Sequence, residues 1–84
     1  MANREQNERR FPHWKELPGG GRRYWFDVLG RKRGFARYVK IVDVDEMTVS
    51  FTQETYDENG MLIATHQKYP VDKGHEAVTS GDRE

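Results

Sequence analysis

GRKRGFARYVK, residues 30–40, decides the fold, because it reads in two ways. Arg33-Gly34-Phe35-Ala36 matches the first four positions of the pattern with which RNA-recognition sheets present aromatic rings to bases. Arg37, Tyr38 and Lys40 then stand where that pattern needs an aromatic ring, a valine and a second aromatic ring. The motif also belongs on a third strand that follows a helix, and no amphipathic helical period precedes Arg33. The stretch is therefore read as a turn, Gly30 to Gly34, that opens the second strand of a small sheet.

Working outward, the segment from Arg22 to Tyr69 divides into four runs rich in β-branched and aromatic residues: 22–29, 35–44, 47–57 and 61–69. Asp57-Glu-Asn-Gly60 suits a three-residue hairpin loop with the glycine in the left-handed region, which sets Asp57 opposite Met61 and Tyr56 opposite Leu62. Continued without interruption, that register sets Thr55 opposite Ile63, Glu54 opposite Ala64 and Thr52 opposite His66. A tight turn at Asp45-Glu46 sets Val44 opposite Met47, Val42 opposite Val49, Arg37 opposite Glu54 and Phe35 opposite Tyr56. The loop 30–34 sets Leu29 opposite Phe35, Asp27 opposite Arg37 and Trp25 opposite Val39. The expected fold is all-β, a four-stranded antiparallel meander, with at most a short helical turn near the C-terminus.

One face of this sheet shows Tyr24, Phe26, Val28, Ala36, Tyr38, Val42, Val44, Met47, Val49, Phe51, Met61 and Ile63, and is the expected core. The other carries Asp27, Arg37 and Glu54 as a ladder of alternating charge, worth about 0.2–1 kcal/mol per pair. It also carries Trp25, Val39, Thr52 and His66 as one row. Both faces hold more apolar surface than one sheet covers by itself. Closure by a homodimer through the core face is expected, or by the Phe11, Trp14 and Leu17 cluster of the N-terminal segment.

The chain of 84 residues fits one domain and, at this length, buries only about 60% of its unfolded surface. Three parts are expected: a flexible N-terminal segment with an aromatic cluster (1–21), the meander (22–70) and a loose C-terminal tail (71–84). Ten aromatic residues among 35% hydrophobic and 33% charged residues argue that the middle folds. The absence of cysteine removes disulfides and thiolate chemistry, no apolar run has the length of a membrane span, and MANREQNERR lacks the core of a secretory signal. A cytoplasmic protein is expected.

Net charge is zero, but residues 1–40 hold eleven Lys and Arg against four Asp and Glu, and residues 41–84 hold three against ten. The basic half makes Arg22, Arg23, Arg31, Lys32, Arg33 and Lys40, with Trp25 as a stacking ring, the candidates for a charge-driven RNA or DNA surface. His66 and His75, with Lys68, supply the parts of a metal-independent ribonuclease: a general base, a general acid and a cation for the phosphorane. Their meeting depends on a loop beyond Pro70. His13, His66 and His75 lack short ligand spacing, and Asp43, Asp45 and Glu46 read as turn charges, so no metal site is expected. No cofactor signature is present. The leading expectation is a small binding or assembly module without catalysis, with the ribonuclease-type enzyme as its alternative.

The segment Glu54 to Ile63, followed by His66, Tyr69-Pro70 and Gly74-His75, resembles small bacterial proteins, some of them encoded beside toxin–antitoxin pairs. No residue roles follow from that resemblance.

Overall fold

The computed structural model describes residues 3–30 and 33–77. A short helix α1 (Arg4–Arg10) precedes six strands: β1 (His13–Glu16), β2 (Arg22–Leu29), β3 (Phe35–Val42), β4 (Thr48–Tyr56), β5 (Leu62–Tyr69) and β6 (Gly74–Ala77). They form one antiparallel sheet in sequence order. The all-β class therefore holds and the strand number is corrected from four to six. β1 and β6 are four residues each and are mostly exposed, so neither carries the alternating pattern that marks a strand in a sequence. What makes them strands is the free edge of β2 and of β5. Among the described residues no helix is long and apolar enough to cross a membrane.

The expected pairing of β2 with β3 is observed, with Leu29 opposite Phe35, Asp27 opposite Arg37 and Trp25 opposite Val39. Arg37 faces Glu54 and Phe35 faces Tyr56, also as expected. The other two expected hairpins, β3–β4 and β4–β5, close with the same chemistry. In the turn 57–61, Asp57 Oδ1 accepts from the amides of Asn59 and Met61, and Gly60 takes φ +81°. In the turn 43–47, Asp43 Oδ1 accepts from Asp45 and Met47, and Glu46 takes φ +66° where the other turn has glycine. This five-residue turn replaces the expected tight turn at Asp45-Glu46, so Val42 pairs with Thr48 rather than Val49.

A second irregularity matters more. Tyr56 pairs with Leu62, but Thr55 pairs with Ala64, leaving Ile63 as an extra residue in β5. A bulge of this kind shifts every later side chain to the other face. His66 accordingly pairs with Gln53, not Thr52, and joins the face of Tyr38 instead of that of Trp25.

The core lies on that face, near the start of β2. Phe11, Tyr24 and Val42 are buried, with Phe26 and Phe51 packed against them. Phe11 is the N-terminal residue that folds back, its ring centroid 5.6 Å from Tyr24 and 5.4 Å from Phe26. Behind it α1 starts with a reciprocal cap, Asn3 Oδ1 accepting from the Gln6 amide and Gln6 Oε1 from the Asn3 amide. Seven residues do not hold a helix alone, and a polar clasp supplies the rest. Buried Asn7 donates Nδ2–H to Glu46 and accepts at Oδ1 from Lys40, while Tyr24 Oη and Arg4 Nε also donate to Glu46. Burial pushes the Glu46 carboxyl up, but these hydrogen bonds from Tyr24, Asn7 and Arg4 outweigh it and hold it below the usual carboxylate range. The clasp explains why a glutamate occupies a left-handed position.

Candidate acid–base site and aromatic face

The bulge at Ile63 creates one row of side chains across five strands: Phe26, Tyr38, Gln53, His66 and His75, each opposite the next. At one end His75 Nδ1 lies 3.2 Å from His66 Nδ1, with the rings edge to face and their centroids 4.8 Å apart. On its other side His66 Nε2 is 2.6 Å from Asp72 Oδ1. That same oxygen accepts the Gly74 amide at 2.9 Å, which fixes the turn into β6 and hence the place of His75. The Gly74 N–H, followed by His66, holds the Asp72 carboxyl below its ordinary value.

This geometry dictates the tautomers. With Asp72 accepting the Nε2 proton of His66, His66 Nδ1 is left as an acceptor for Nδ1–H of His75. Nε2 of His75 then keeps its lone pair and has no partner among the described residues. Asp72 and His75 are exposed and His66 between them is half-buried, so the chain Asp72, His66, His75 ends on the open face. Lys68 belongs to the same face. It is the extra residue of a further bulge, since Phe51 pairs with Tyr69 and Thr52 with Gln67. Its Nζ lies 5.3 Å from the centroid of the Tyr38 ring.

Toward β2 the row becomes aromatic. Phe26 and Tyr38 stack at 5.0 Å and 19°, and Tyr38 and Phe51 at 6.2 Å and 24°. These rings floor an open cavity of about 850 Å³, whose lining also includes Arg10, Phe11, Lys40, Glu46, Met47 and Tyr69. This apolar hollow with a few charged groups falls in the usual range for ligand pockets.

Of the six cations expected to form one nucleic-acid surface, the described Arg22, Arg23 and Lys40 do not share one face. Arg22 is buried between Glu8 at 2.7 Å and Glu16 at 2.6 Å, and Glu8 first of all raises its pKa. Lys40 faces the cavity, and Arg23 lies on the opposite face over Trp25 at 4.9 Å, with His13 stacked against the same indole at 5.5 Å. Arg33 sits in the β2–β3 turn with φ +65°, and Arg31 and Lys32 lie outside the described residues. Of the charge ladder, Arg37 binds Asp27 through two hydrogen bonds of 2.8 and 3.1 Å and holds its carboxyl down. Glu54 instead accepts from Tyr56 Oη at 2.7 Å. Arg37 covers the stacked Phe35 and Tyr56 rings at 5.4 and 5.5 Å. Sequence reasoning missed Asp72 and Tyr38 as members of a site. The signal for Asp72 is its position two residues before a glycine-led turn into a histidine.

No family model matches the chain, and no curated protein or solved structure is significantly similar to it.

Proposed function

We propose that this protein is a ribonuclease-type enzyme working by general acid–base catalysis, with His75 as the group that meets substrate. The observation that supports it is the hydrogen-bonded chain from Asp72 through His66 to the free Nε2 of His75. No serine, threonine or tyrosine hydroxyl is hydrogen-bonded to either imidazole among the described residues, so the relay needs a substrate that brings its own nucleophile. The ribose 2′-hydroxyl beside a phosphodiester is such a group. His75 Nε2 takes the 2′-hydroxyl proton as the 2′-oxygen bonds to phosphorus and the bond to the 5′-oxygen breaks. The imidazolium then returns the proton to that departing oxygen, leaving a 2′,3′-cyclic phosphate and a 5′-hydroxyl. Asp72 stabilises the charge while the pair holds the extra proton, and Lys68 supplies the cation for the phosphorane. Because the two rings touch, they act as one proton-sharing unit and not as an acid and a base on opposite sides of the phosphate.

The test uses a labelled DNA oligonucleotide containing one ribonucleotide. Cleavage is expected only on the 3′ side of that residue, with a cyclic phosphate end and a loss of about a hundredfold or more in His75→Gln. Intact substrate with folded wild-type protein, or undiminished cleavage by His75→Gln, overturns the reading.

A second reading, a binding or assembly module without catalysis, is favoured by the exposed Val28, Met47 and Tyr69 around the same face. A homodimer closed through that face follows from it. Light scattering separates the two, since a closed dimer hides the face that substrate must reach.

A further inference from the structure

We infer that the Phe26, Tyr38 and Phe51 floor, with Arg10 and Lys40 at its rim, is a subsite that stacks a nucleobase and holds the phosphate attached to it. The identity of the polymer rests on the ribonuclease reading; the stacking and the charge do not.

Three observations carry the inference. The first is the arrangement of the rings that floor the cavity. Successive rings lie near-parallel, at 19° and 24° with centroids 5.0 and 6.2 Å apart across three strands, so they form an offset aromatic stack. A flat aromatic partner gains by extending such a stack in a way that an aliphatic chain, content with any apolar hollow, does not.

The second is charge. Lys40 Nζ donates to Asn7 Oδ1 at 2.9 Å, and neither Lys40 nor Arg10 has a carboxylate within ion-pair distance among the described residues. Glu46, the one carboxylate in the lining, is taken up by Tyr24, Asn7 and Arg4. Burial, and then the neighbouring Arg10, push the Lys40 ammonium pKa down. An anion bound there removes that penalty, and a nucleotide supplies an anion together with a flat base.

The third is continuity. The floor and the imidazole pair share one row, and with strands about 4.8 Å apart His66 and His75 lie roughly 10 and 14 Å from Tyr38 along the sheet. Lys68 reaches over Tyr38 between them. A short single strand stacked on the floor therefore carries its backbone past Lys68 to His75.

The probe is a fluorescein-labelled 2′-O-methyl oligoribonucleotide, which has no 2′-hydroxyl to be attacked, titrated by anisotropy at two salt concentrations. Tyr38→Phe is expected to bind within about twofold of wild type, and Tyr38→Leu and Phe51→Leu about tenfold or more weakly. Lys40→Met and Arg10→Gln should each weaken binding and flatten its salt dependence. Arg10 is exposed at the end of α1, so Arg10→Gln keeps the test open if a core variant fails to fold. Binding with no cleavage of the ribonucleotide substrate leaves the subsite standing and removes the enzyme; cleavage with no effect of Tyr38→Leu or Arg10→Gln removes the subsite. Equal binding of an abasic strand shows charge without stacking and overturns the inference. So does a chain that elutes as a closed dimer and binds nothing.

Discussion

Glu46→Gln tests the clasp on which the aromatic face depends. The wild-type carboxylate accepts from Tyr24 Oη, from Asn7 Nδ2 at 2.9 Å and from Arg4 Nε at 3.4 Å. Its side chain is 10% exposed, whereas Arg4 is 49% exposed, so the arginine adds little after screening. Tyr24 Oη and Asn7 Nδ2 share one oxygen, Oε2, so glutamine keeps the shape and, with its carbonyl oxygen in that place, turns its amide toward Arg4 Nε. Losing the charge on two such bonds costs about 2–3 kcal/mol, which for a domain of this size lowers Tm by about 10–20 °C. The assay is thermal unfolding by circular dichroism at pH 7 and at steps down to pH 3. The Glu46 pKa is depressed in the folded state. Its contribution is therefore complete above the unfolded value of about 4.3 and lost as pH falls through the folded one. The two melting curves should be far apart at pH 7 and converge toward the acid end. A variant melting within about 2 °C of wild type at pH 7, or a gap that persists undiminished to pH 3, refutes the reasoning.

Three further variants probe the sheet. Gly34→Ala places a Cβ against the Tyr56 carbonyl oxygen and within 3.3 Å of Asp57 backbone, so the β3–β4 pairing must shift, and a loss of about 2 kcal/mol or more is expected by denaturant titration. Arg37→Ala removes the paired hydrogen bonds to Asp27 and the cover over Phe35 and Tyr56, costing about 1 kcal/mol; an unfolding midpoint equal to that of Arg31→Ala counts against this role. Arg33→Gly relieves a left-handed φ of +65° and should leave stability unchanged or raise it by up to about 1 kcal/mol. A clear loss in that variant shows that the arginine side chain holds the turn.

The sheet was legible where hydrophobic alternation and turn chemistry agreed. Asp57-Glu-Asn-Gly60 announced its hairpin because asparagine and glycine suit the turn, and the structure has Gly60 in the left-handed region as expected. The twin turn 43–47 was misread because Glu46 occupies the glycine position, and its reason lies forty residues away in α1, which no local pattern reports. β1, β6 and α1 were illegible for a related cause: each is too short to be stable alone and exists through its neighbour. The site was half legible. The residue types at His66, His75 and Lys68 pointed to acid–base chemistry, but their meeting depends on β6, and the face of His66 depends on Ile63 being extra. Nothing in Leu62-Ile63-Ala64 distinguishes a bulge from regular alternation, since all three side chains are apolar. Charge along a chain likewise does not reveal that Arg22 spends its guanidinium on Glu8 and Glu16.

One bulge brings His66 and His75 onto the face of Tyr38, the face on which single-stranded RNA is proposed to lie. A crystal structure of the protein with the 2′-O-methyl oligonucleotide tests it most directly. Expected are a base extending the Tyr38 and Phe51 stack, a phosphate near Lys40 and Arg10, and the next backbone segment against Lys68 and His75 Nε2. A ligand seated instead on Trp25 and Arg23, or His66 found opposite Thr52 on the other side of the sheet, contradicts it.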